Sequence, residues 1–152
     1  MNTVDHSKSV WQDPKKQQEK VLRLYSPASE KIMLTFNPLR MSHEPDWNPR
    51  WEDWSCYYNP LVVYRQDYDK LLLPYLKQIY PTKDAFDGTP EVCFDVCFDN
   101  WIGIADWNKI IAAVENDLDT METEIKSFYE AWLAWLKEAL CYTTIIVVEG
   151  NQ

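Results

Sequence analysis

Residues 107–150 read WNKIIAAVENDLDTMETEIKSFYEAWLAWLKEALCYTTIIVVEG. Apolar side chains fall at 107, 111, 114, 118, 121, 125, 128, 132, 135 and 139, in alternating steps of four and three, the stripe of an amphipathic helix. Taken alone, that stripe would suit a coiled coil. One unbroken rod over it would extend about 50 Å, and a domain of this length has a radius of gyration of only about 15 Å. Asn116, Asp117, Asp119 and Thr120 are poor helix formers and good caps. The stretch therefore predicts two helices, 105–117 and 120–141, folded back or bent at that point. Thr144–Glu149 follows as a strand that is apolar on both faces and so belongs inside a sheet. Its neighbours must come from far back in the chain, which predicts one domain around one sheet.

Upstream segments supply those neighbours. Val21–Tyr25 and Lys31–Phe36 read as paired strands joined by the turn Ser26-Pro27-Ala28-Ser29. Leu61–Arg65 reads as another strand. A helix from Asp67 carries Tyr68, Leu72, Tyr75, Leu76 and Ile79 on one face, with Pro74 expected to kink or restart it. Glu91–Trp101 gives the clearest alternation, Val92, Phe94, Val96 and Phe98 against Cys93, Asp95, Cys97 and Asp99. The expected fold is α+β or mixed α/β: one sheet with N-terminal strands, a helical pair near residues 105–141 and a buried C-terminal strand. Residues 1–19 are expected as a polar arm and 20–152 as a single globular domain.

Charge is distributed unevenly. Residues 1–50 hold eight basic and six acidic side chains, whereas residues 51–152 hold seven and eighteen. Between Asp84 and Glu130 twelve carboxylates face only Lys109 and Lys126, a net of −10. Such a field repels nucleic acid and anionic membranes and draws basic proteins. The N-terminus shows no apolar leader-like run and no stretch is long enough to span a bilayer, so the cytoplasm, with reduced cysteines, is the expected compartment.

Catalytic and metal-binding patterns are absent from the sequence. Cys93 and Cys97 on a strand would hold their sulfurs about 13 Å apart, too far for one ion. His43 is the one histidine outside the arm, and no G-x-S-x-G, P-loop, dinucleotide fingerprint or EF-hand loop occurs. No catalytic residue, metal or cofactor is expected. Asp95 and Asp99 share a strand face, and paired carboxyls in a cleft would be needed for glycosidase-like work.

Two clusters remain as partner-binding candidates. In HEPDWNPRWEDW (43–54), Trp47, Trp51 and Trp54 are spaced to share one face of a short helix capped by Asn48-Pro49. That face either packs on the sheet or stays exposed beside Asp46, Glu52 and Asp53, where aromatic anchors ringed by acid would suit a Lys/Arg-rich target. The second cluster is Glu115, Asp117, Asp119 and Glu122, continuing to Glu124, without a base among them. Glu122 and Glu124 suit a helix N-terminus, while Glu115 and Asp117 at a helix C-terminus are unfavourable and hint at an external cation.

With its small size, acidity, abundant Trp and Tyr, the segment CFDVCFDNWIGIADWNKII (93–111), the amphipathic run to Cys141 and the ending TTIIVVEGNQ, the chain resembles the immunity proteins of bacterial polymorphic and contact-dependent growth-inhibition toxin systems. The resemblance implies a non-enzymatic protein that binds one cognate toxin domain in the cytoplasm, a basic nuclease in many cases, and covers its active site or substrate path. It implies no nucleic-acid or membrane partner. Two other functions compete: a small hydrolase or ligand-binding enzyme using Asp95, Asp99 and the Trp loop as a cleft, and a nucleic-acid mimic with carboxylates at phosphate-like intervals.

Overall fold

The computed structural model describes residues 19–39 and 59–152. Five strands among them form a mixed sheet in the order β1-β3-β2-β7-β6, with β1 at Lys20–Leu22, β2 at Met33–Pro38, β3 at Leu61–Tyr64, β6 at Asp99–Gly103 and β7 at Ile145–Gly150. A two-stranded ribbon, β4 (Thr82–Lys83) with β5 (Pro90–Glu91), lies apart from it. Helical segments comprise 65–79 (α1), Ile104–Asp117 (α2) and Thr123–Ala139 (α3). The α+β class, the helical pair and the internal final strand agree with the sequence.

The last strand is internal because it is apolar on both faces. Ile146, Val147 and Val148 are all buried, between β2 on one side and β6 on the other. Alternate residues of the sheet, Leu34, Phe36, Leu61, Val63, Ile102, Ile146 and Val148, belong to the core shared with the helices. Phe36 sits at its centre, with ring centroids 6.1 Å from Trp107, 6.0 Å from Trp132 and 6.2 Å from Trp135. The α2–α3 turn is held where its sequence disfavours helix: the Thr120 hydroxyl donates to the Asp117 carbonyl at 2.7 Å, and residues 118–120 tighten into a 3-10 turn.

Three expectations change. First, β1 does not pair with β2. It runs parallel to β3, which separates the two. The cause is Asp67, fully buried at the start of α1. Its carboxylate accepts the main-chain N–H groups of Leu24, Tyr25 and Ser26 at 3.0, 2.6 and 3.3 Å, and the Ser26 hydroxyl accepts the Asp67 N–H at 3.1 Å. A chain held this way swings outward instead of turning back as a tight hairpin. Second, the helix expected from Asp67 is not one regular α-helix, and Pro74 marks the restart within it: a new α-helical segment, Leu73–Leu76, carries the proline in its first turn. Residues 68–72 widen into a π-turn, with the Leu73 N–H donating to the Tyr68 carbonyl, and the Tyr129 hydroxyl donates to the Leu71 carbonyl at 2.7 Å. Pro74 stands in the first turn of the segment that follows, where no intrahelical amide donor is required.

The third change concerns Glu91–Trp101, which is not one strand. Pairing stops at Glu91, residues 92–98 bend, and pairing resumes at Asp99. Val92 is 80% exposed and Phe98 71%, while Phe94 is buried. Asn100 breaks the ladder: its Oδ1 accepts the Asp95 N–H at 2.8 Å, and its Nδ2 donates to the carbonyls of Asp95 (2.7 Å), Phe98 (3.3 Å) and Val148 (3.0 Å). Asp95 in turn accepts the Cys97 N–H at 2.8 Å. Side-chain amides and carboxylates here outcompete the strand's own hydrogen bonds. The bend lies against the end of β7 so closely that a Cβ on Gly150 would overlap the Val96 carbonyl.

Asp67→Ala should lower stability by about 3 kcal/mol, because three amides, one buried and two part-buried, lose their acceptor; urea unfolding would show a reduced midpoint at unchanged slope. Gly150→Ala should cost about 1–3 kcal/mol through backbone overlap with Val96, read as a lower melting temperature.

Candidate functional site

The predicted partner-binding residues divide into two sets. Asp46, Trp47, Trp51, Glu52, Asp53 and Trp54 lie outside the described residues, as do His43 and Cys56. Glu115, Asp117, Asp119 and Glu122 are brought together at the α2–α3 turn. There Glu115 pairs with Lys137 of α3 at 3.1 Å, Asp117 accepts the Tyr75 hydroxyl at 2.7 Å, and Asp119 stands 3.9 Å from Lys126. Glu122 is exposed and occupies the N-cap of α3, with no side-chain cap bond. Each of Glu115 and Asp117 thus has a partner within the fold, an exposed lysine for the first and a neutral phenol hydroxyl for the second. Lys137 lies 22 residues from Glu115, and Tyr75 lies 42 residues from Asp117, so neither was visible from local spacing. Exposed ion pairs of this kind are worth little, about 0–1 kcal/mol.

A second acidic region is less neutralised. Asp84, Glu91, Asp95 and Asp99 line a recess of about 180 Å³ beside Tyr80 and Trp101. The β4–β5 ribbon supplies the first two and the 92–99 segment the others. Trp101 rests on Phe86 at 5.5 Å, and Tyr80 meets the buried Phe94 edge-on at 6.3 Å, which fixes the aromatic wall. Burial, reinforced by Glu91, raises the Tyr80 phenol and keeps it protonated. Lys83 also lines the recess. None of the four carboxylates is within ion-pair distance of a Lys or Arg among the described residues.

Asp99 also stands directly opposite Glu149 across β6 and β7. Burial raises the carboxyl of Asp99, and burial together with Asp99 raises that of Glu149. Like charges at directly opposed positions destabilise a sheet.

The recess bears on chemistry in a limited way. Ligand pockets for drug-sized molecules run to roughly 300–1,000 Å³, so this one suits a single cationic side chain better than a sugar chain. Asp95 is already occupied by the Cys97 N–H. With residues 92–98 bent, the strand-based separation of Cys93 and Cys97 no longer applies, and both are exposed free thiols. Among the described residues no group of three or more His, Cys, Asp or Glu side chains is arranged to hold a metal ion, and no helix is long and apolar enough to cross a membrane.

Val92 and Phe98, set by the alternation on one strand face with Phe94 and Val96, are exposed. The signal that could have moved them out is Asp95, Asp99 and Asn100 within the alternating run, since such side chains favour turns over ladders. Comparison with known protein families, with curated proteins and with solved structures finds no match to this chain.

Both raised carboxyls bind protons more tightly in the folded chain than in the unfolded one. The stability they contribute is thus present below the unfolded carboxyl values of about 4 and is lost as pH rises through the folded ones. Asp99→Asn should stabilise the protein at pH 7 by about 0.5 kcal/mol, with the gain shrinking towards pH 3.5 in denaturant titrations.

Proposed function

We propose that this protein is a non-enzymatic immunity protein that binds and neutralises a basic toxin domain, a nuclease being the target class its charge fits best. One observation carries the reading: of the twelve carboxylates between Asp84 and Glu130, nine are exposed (Asp87, Glu91, Asp95, Asp99, Glu115, Asp119, Glu122, Glu124 and Glu130). The negative excess is displayed at the surface, and the Lys137 and Lys126 pairings offset only part of it. A field of that sign steers a cationic protein into contact and raises its association rate. A nuclease is cationic where it holds its phosphate backbone, so an acidic protein seated there also blocks substrate. Inhibition in this scheme requires occupancy alone.

A second reading, a small hydrolase or ligand-binding enzyme, draws on Asp95 and Asp99 lining one recess. Its small volume and the structural use of Asp95 weigh against it. Hydrolysis of a chromogenic glycoside that is abolished by Asp99→Asn would favour that reading over the immunity one.

The leading reading is tested with the C-terminal domain of the polypeptide encoded immediately upstream. The two proteins should form a stable complex and the toxin's activity should fall stoichiometrically. Combined reversal of Glu91, Glu122 and Glu124 to Lys should slow association at least tenfold at low salt, with the difference closing as salt screens it. Absence of a complex at micromolar concentrations, or an association rate indifferent to salt, overturns the proposal.

A further inference from the structure

We infer that the 92–98 bend is the epitope by which this protein grips its basic partner, with Phe98 and Val92 entering an apolar depression on a cationic surface whose Lys or Arg side chains meet the adjoining acidic recess. The inference rests on the function proposed above and specifies where on the molecule it is exercised.

Three observations converge on this segment. Four large apolar side chains are markedly exposed among the described residues, and two of them, Val92 and Phe98, stand at the two ends of one seven-residue bend. Of the others, Tyr25 is covered by the Lys70 ammonium at 4.3 Å, and Val21 belongs to an edge strand. Exposed aromatics at a surface with acidic surroundings are the side chains most able to act as binding anchors.

The bend is also held in shape before any partner arrives. Three hydrogen bonds of the Asn100 side chain, one accepted and two donated, fix it from within, and a fourth anchors that side chain to the Val148 carbonyl of β7. The Gly150 N–H donates to the Phe98 carbonyl at 3.1 Å and the Gln152 N–H to the Val96 carbonyl at 3.2 Å. A loop fixed in this way loses little conformational freedom on docking, so more of the contact energy survives as affinity. The exposure of Phe98 follows from specific bonds and does not reflect a loosely packed strand.

Charge then selects the partner. Glu91, Asp95 and Asp99 lie within or beside the bend and line the recess with Asp84, inside the stretch whose net charge is −10. A neutral apolar surface would have to desolvate these carboxylates without compensation, whereas a cationic one pairs with them. The recess is sized for one basic side chain. Its aromatic wall, Tyr80 and Trp101, suits the stem and face of a lysine or a guanidinium.

The test uses the full chain and the purified upstream-encoded toxin domain as probe, with association and dissociation followed by surface plasmon resonance at two salt concentrations. The variants are Val92→Ala/Phe98→Ala, Phe98→Tyr and Glu91→Lys, each checked for an unchanged melting temperature. Expected is a loss of at least thirtyfold in affinity for the double variant, mostly as faster dissociation with an unchanged salt slope, and near-wild-type binding by Phe98→Tyr. Glu91→Lys should act mainly on association. If the wild type binds and the double variant stays within twofold of it, this epitope is refuted while the immunity function stands. If the wild type does not bind, both fall together.

Discussion

Phe36 is the residue on which the two layers of this molecule depend. It projects from the strand next to β7 into the space between α2 and α3, and three indoles close around it at about 6 Å. Aromatic pairs at these separations add to the area they bury by roughly 0.5–1.5 kcal/mol each. The Trp107 indole donates to the Ile102 carbonyl at 3.0 Å and that of Trp135 to the Asn59 carbonyl at 3.2 Å, so two of the three rings also hold main chain that leads into or out of the sheet. A change in the Phe36 contact would therefore be felt in strand placement as well as in helix packing.

That arrangement changes how the tryptophan content is to be understood. Richness in Trp and Tyr looks, in a bare sequence, like provision for recognition. Trp107, Trp132 and Trp135 are instead buried in the core, and Trp101 is half-covered against Phe86. Among the described residues the most exposed aromatic is Phe98, on a bend set by one asparagine. Recognition and packing draw on the same residue types, and the local hydrogen bonds decide which role each one takes.

Much of the fold was legible because strong periodicity coincides with real elements. The stripe from Trp107 to Ala139, broken by Asn116–Thr120, became α2 and α3 within a few residues, and the doubly apolar Ile145–Val148 became an internal strand. Local pattern failed where a distant or adjacent polar side chain intervened. Asp67 captured the amides of residues 24–26 across more than forty positions and sent β1 to the far side of β3. Asn100 unmade a run of near-perfect alternation from within it. The candidate site was harder still: the partners of Glu115 and Asp117 come from other helices, and the acidic recess is assembled from the β4–β5 ribbon and the 92–101 segment. Within the acidic cluster the placements hold, Glu115 and Asp117 at the end of α2 and Glu122 and Glu124 at the start of α3, while their partners were not visible locally.

The position of β7 has a kinetic corollary. Its register partners in β2, such as Asn37 opposite Val147, lie 110 residues earlier in the chain. Loop-closure entropy makes such pairings late and slow to form. Until β7 inserts, β2 and β6 each present an open row of amide donors and carbonyl acceptors, which is a template for unwanted intermolecular pairing. Chains arrested before that insertion are the ones to look for in aggregates, and a slow final phase in refolding would be the mark of the sheet closing around its last strand.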